Sequence, residues 1–132
     1  MTIGSYDARL NLLAVVDKGT SFTAHTLEIG RDFDVIADIE VGKALNALIS
    51  RIEIFASLGS ITQGVQIQAQ VHDDKSPTPA DAPRRDRITV PFTGLAGVSE
   101  GDILQASATL KVITGIWTDY SAQTSEFVIV TT

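Results

Sequence analysis

The chain has 132 residues, 44% of them hydrophobic and 20% charged, which fits a single domain over residues 1–132 and excludes a disordered tail. Sixteen acids against ten bases leave a formal net charge of -6, so a phosphate backbone is an unfavourable partner and no nucleic acid is expected. Cysteine is absent, which excludes disulfides, thiolate zinc sites and a cysteine nucleophile.

The opening residues, MTIGSYDARL, have neither a basic start nor a long apolar run, so the expectation is no leader and a cytoplasmic location. No stretch approaches the ~18 consecutive apolar residues of a membrane span, so membrane insertion is not expected. Leu10 to Val16 predicts a first strand, and Phe22 to Ile29 a short second one. Phe33, Val35, Ala37, Ile39 and Val41 then alternate with Asp34, Asp38 and Glu40, the pattern of a strand with one buried and one wet face. Ile36 falls on the wet side.

Lys43 to Leu58 fits two periods. As a helix it gathers Leu45, Leu48, Ile49, Ile52, Phe55 and Ala56 on one face. As a strand it alternates Ile52, Ile54, Ala56 and Leu58 with Arg51, Glu53, Phe55 and Ser57, and this also accounts for Ile54. A loop or single helical turn over residues 44–48, followed by a strand from about Ile49 to Leu58, satisfies both. Val65, Ile67, Ala69 and Val71 alternate with Gln66, Gln68 and Gln70, which predicts a strand with its glutamines in water.

His72 to Arg87 holds three of the four prolines and reads as an irregular crossover. Ile88, Val90 and Phe92 form a shorter strand in which Pro91 demands an outward or edge position. Leu104 to Val112 alternates cleanly, and Phe127 to Val130 supplies a final strand. The glycines fall between these runs. About seven strands in one chain predict an all-β fold, an antiparallel sandwich of two sheets.

Asp86 to Val130 carries the closest likeness to a known family. A strand at Ile88–Val90 leads to a turn ending Glu100-Gly101-Asp102, then an alternating strand, a loop and an apolar strand. This resembles the last three strands of an immunoglobulin-like or fibronectin-type-III-like bacterial domain. The Cys…Trp…Cys framework of antibody domains is absent, and Ile103 or Leu104 stands where a tyrosine corner would be. The resemblance implies a fold and leaves function open.

Chemistry is sparse. His25 and His72 are the two histidines, both in strand-end or loop sequence, and no serine lies on a nucleophile elbow. Paired acids such as Asp34 with Asp38 or Glu40 would sit on a convex sheet face without a cleft, so no enzyme is expected. Asp32, Asp34, Asp38 and Glu40 offer calcium its preferred hard oxygens, yet a strand spreads them ~6.8 Å per step of two, and no loop closes round an ion. Asp73, Asp74 and Asp81 crowd the crossover. Arg84, Arg85 and Arg87 form the one basic cluster, offset by Asp86 and these loop acids, which reads as a solvated or internally paired loop.

Two surfaces therefore stand as candidates. Trp117, Asp119 and Tyr120, in the loop of residues 115–120, place two aromatics and an acceptor where a sugar or a protein could dock. Ile36, Ile49 and Phe55 are apolar residues predicted to point away from the core, and together they would form an interface patch. The expectation is a non-catalytic binding or assembly module, without cofactor, that acts through a protein partner or self-association. The alternative is a carbohydrate- or calcium-binding module using residues 115–120 or the acidic face of residues 32–40, there Asp34, Asp38 and Glu40.

Overall fold

A computed structural model describes residues 3–132; Met1 and Thr2, part of the segment read above for a leader, lie outside the described residues. The elements in chain order are β1 (Ala8–Asp17), β2 (Thr26–Glu28), β3 (Phe33–Val41), α1 (Lys43–Ala47), β4 (Ile49–Ser60), β5 (Val65–Asp74), β6 (Arg84–Phe92), β7 (Ile103–Thr114), β8 (Thr118–Thr124) and β9 (Val128–Thr131). They form an all-β sandwich. One sheet has the order β1-β3-β6, the other β2-β9-β7-β4-β5, with β8 also paired to β7. Pairing is antiparallel except between β2 and β9.

The core follows from alternation. Val35, Ala37, Ile39 and Val41 of β3 meet Ile52, Ile54, Ala56 and Leu58 of β4 and Leu104, Ala106, Leu110 and Val112 of β7 in one buried cluster. Phe33 and Phe92, partners across β3 and β6, stack with ring centroids 5.1 Å apart. The single turn α1 and the strand after it lie where the double periodicity of residues 43–58 placed them.

The two edges between the sheets are closed by side chains in place of ladder bonds. Beside β1, Asp119 Oδ2 accepts from the Ala8 amide at 2.8 Å and Ser121 Oγ from the Leu10 amide at 2.9 Å. Beside β5, the Gln68 amide pairs with Thr93 as a strand would, donating to its carbonyl at 2.8 Å and accepting from its N–H at 3.0 Å. These contacts give otherwise unpaired edge groups their partners.

Two expectations about strands are corrected. The residues expected to form a loop at 118–120 begin a further strand, β8, and the crossover shortens to residues 75–83 because β5 and β6 extend into it. Arg85 and Arg87 stay in the ladder of β6 because each lies opposite an acid of β3, Glu40 and Asp38 respectively.

Candidate functional site

The acidic strand face is an ion-pair ladder. Asp34 accepts from Lys18 Nζ at 2.8 Å and from the Gly19 amide at 3.0 Å. Asp38 takes a two-point contact from Arg87, at 2.7 and 2.9 Å. Glu40 accepts from Arg85 at 3.0 Å and from the Asn11 amide at 3.2 Å. Burial pushes the Asp34 carboxyl up, but its hydrogen bonds from Lys18 and Gly19 outweigh that and hold it below the usual range. Glu40 is likewise held down, first by Asn11 and then by Arg85. With their oxygens engaged by cations on three separate partners, Asp34, Asp38 and Glu40 do not converge on an ion. Among the described residues no group of three or more His, Asp or Glu side chains is placed to hold a metal.

Trp117, Asp119 and Tyr120 are not brought together. Tyr120 lies opposite Lys111 on the outer face of the larger sheet, with Lys111 Nζ 5.9 Å from its ring centroid. Asp119 is turned the other way, bound to the Ala8 amide. Trp117 closes the β7–β8 hairpin, its amide donating to Thr114 Oγ1 at 2.9 Å. By strand alternation it shares the side of Asp119, not that of Tyr120. Both aromatics stay open to solvent, Trp117 at 55% and Tyr120 at 59%.

The patch of Ile36, Ile49 and Phe55 does not form either. Ile49 is 3% exposed because a bulge at Ser50 shifts the phase of β4 and turns it into the core beside Ile52. Ile36 is 4% exposed, packed with Ala14 and Val16 in a second small cluster on the outer side of the three-stranded sheet. Phe55 stands apart from both on the outer face of the larger sheet, 44% exposed.

Phe55 leads to a surface that the sequence pattern concealed. Three aligned rows cross β5, β4, β7 and β8 on the outer face. They read Asp73–Glu53–Lys111–Tyr120, then Val71–Phe55–Thr109–Ala122, then Ala69–Ser57–Ser107–Thr124. Beyond them Gln66, Gly59 and Gln105 continue the sheet, and Ile61, Ile103 and Ile129 end it in register. From the Phe55 row to the Ile61 row these positions carry no charge. A shallow trough of about 590 Å³ runs along this face, lined among others by Phe55, Ser57, Val71, Thr109 and Thr124.

The expected orientation of β5 is reversed over residues 68–71, while Gln66 stays exposed and Ile67 packs half-buried against the core as expected. Gln68 and Gln70 lie opposite the buried Leu58 and Ala56, whereas Ala69 and Val71 face water, Val71 at 59%. A register shift between Leu58 and Gly59 accompanies the change. Gln68 is drawn inward by its bonds to Thr93, and Gln70 donates to Gln68 Oε1 at 3.1 Å.

No protein-family model matches the chain, and no curated protein does. Among solved structures, the chain is similar to BcpA, the major pilin subunit of Bacillus cereus, with a TM-score of 0.51 at 10% identity. The match covers 90% of this chain and 39% of the pilin, so this chain spans well under half of that protein. A putative beta-galactosidase from Bacteroides fragilis aligns with a TM-score of 0.46 at 8% identity, over 89% of this chain and 17% of the other. At 10% identity the likeness to the pilin subunit is one of fold alone, a β-sandwich. No helix among the described residues is long and apolar enough to cross a membrane.

Proposed function

We propose that the chain is a non-catalytic assembly module that acts through protein–protein contacts on the outer face of its larger sheet, centred on Phe55 and Val71. The observation that carries this role is the inverted stretch of β5 over residues 68–71, with Ala69 and Val71 in water and Gln68 and Gln70 turned inward. Such a reversal opposes stability in the isolated chain, and local departures of that kind concentrate at functional surfaces. An exposed, charge-free face that sets apolar side chains such as Phe55, Val71 and Ala69 among hydroxyls and amides is also the composition of a contact surface. The Bacillus cereus neighbour is a pilin subunit, which supplies a precedent for this architecture in a protein that assembles. Within this role the sandwich is of the immunoglobulin-like kind, supported by two facing sheets whose pairing is antiparallel apart from β2 with β9.

Hydroxyl-radical footprinting at low and high protein concentration tests the location. Phe55 and Tyr120 should lose reactivity as concentration rises, while Trp117 and Phe22, both exposed elsewhere, should keep theirs. Protection of Trp117 with Phe55 unchanged would move the interface to the hairpin end and overturn the assignment.

A further inference from the structure

We infer, resting on the assembly role proposed above, that the partner is a second copy of this chain, related by a two-fold axis that runs parallel to the strands between β4 and β7. The rows on the outer face are complementary to themselves under that rotation. It lays β4 over β7 of the second copy and β5 over its β8, each row meeting the same row.

In the central row, Val71 and Phe55 occupy one half and Ala122 and Thr109 the other. Rotation sets Phe55 over Thr109 of the second copy and Val71 over its Ala122. Large side chains thus enter the space left by small ones, twice, as close packing requires. In the next row the acids lie on β4 and β5 and the cation on β7, so Glu53 comes opposite Lys111 of the second copy, and Asp73 opposite its Tyr120 hydroxyl. Arg51 already binds Glu53 at 2.8 Å and Asp73 at 2.6 Å, giving that half one net negative charge, and Lys111 gives the other half one positive charge. The third row places Ser57 over Ser107 of the second copy, and these two hydroxyls, 3.0 Å apart within one chain, have lone pairs to spare for a second partner.

Local charge does not oppose contact at this face. The chain carries a net charge of -6, which opposes the approach of two copies. The four charged groups here, Arg51, Glu53, Asp73 and Lys111, sum to zero. Four strands spaced ~4.8 Å apart and four row steps of ~6.8 Å give about 500 Å² in the plane of the sheet. Side-chain corrugation raises this toward the ~800 Å² per partner of a stable dimer.

Complementary charge reversal tests the axis. Glu53→Lys puts two cations opposite each other across the interface, and Lys111→Glu puts two anions there, so each variant alone should sediment as a monomer. Mixed one to one, they restore opposite charges at both contacts and should re-form a dimer containing one chain of each, with affinity at least tenfold (roughly) above either alone. A mixture that stays monomeric, or either variant dimerising alone like the parent chain, would overturn the two-fold arrangement. Concentration-dependent protection of Phe55 without recovery in the mixture would also overturn it, while leaving the face as an interface. Should a charge variant fail to fold, Ala122→Trp carries the same test. It fills the space that Val71 of the second copy must enter, and an unchanged dimer mass would contradict the axis.

Discussion

Phe92→Ala is expected to cost about 3–5 kcal/mol of unfolding free energy, the range for a fully buried phenylalanine. Phe92 has no exposed surface and stacks on Phe33, itself only 1% exposed, at the end of the β3–β6 ladder. Truncation removes the transfer energy of the ring and leaves a void, because Phe33 is fixed on its own strand and cannot fill the space. For a domain of this size the midpoint of thermal unfolding should fall by about 10–20 °C. Phe92→Leu keeps most of the volume and should lose well under half as much. A shift of less than about 3 °C for the alanine variant would mean that the stacked pair is not part of the core.

Gly42→Ala should cost about 3 kcal/mol although it adds one methyl group. Gly42 has an ordinary extended backbone, φ -65° and ψ 156°, so no conformational strain is involved. The constraint is space. A Cβ there would fall on the Gly4 carbonyl oxygen and lie 2.6 Å from that of Ser5, and both are backbone atoms that no rotamer change can move. The segment around Ser5 would have to retreat, weakening the bond from the Gly42 amide to Asp7 O (2.8 Å) and that from the Leu45 amide to Ser5 O (2.9 Å). Denaturant unfolding measures the loss directly, and an unchanged midpoint would show that this segment yields at no cost.

The sheets were legible wherever burial drives the pattern. Residues 33–41 and 104–112 alternate because one face meets the opposite sheet, and β4 declared itself through Ile54, which a helix would have left in water. β8 was hidden because TDYSAQT has no apolar alternation. Its inward side chains Asp119 and Ser121 serve the amides of β1 rather than the core, a role that hydrophobic period cannot register. Ile49 was misplaced by one bulged residue, since a single extra residue exchanges the two faces of a strand.

The candidate surface was legible only through Phe55. The alternation of residues 65–71 was visible, but over residues 68–71 its inward set was taken to be the apolar one. On an edge strand the glutamines can turn inward, because Gln68 finds backbone partners at Thr93. The distances between rows on neighbouring strands, which create the complementarity, depend on register and leave no trace within any one segment.

Native mass of the unaltered chain by sedimentation, over a roughly hundredfold range of concentration, decides whether the chain pairs with itself. Self-association through the outer face predicts a mass rising from 14.1 kDa to twice that value, with no larger species, because a two-fold contact closes on itself. A mass of 14.1 kDa at every concentration would contradict it.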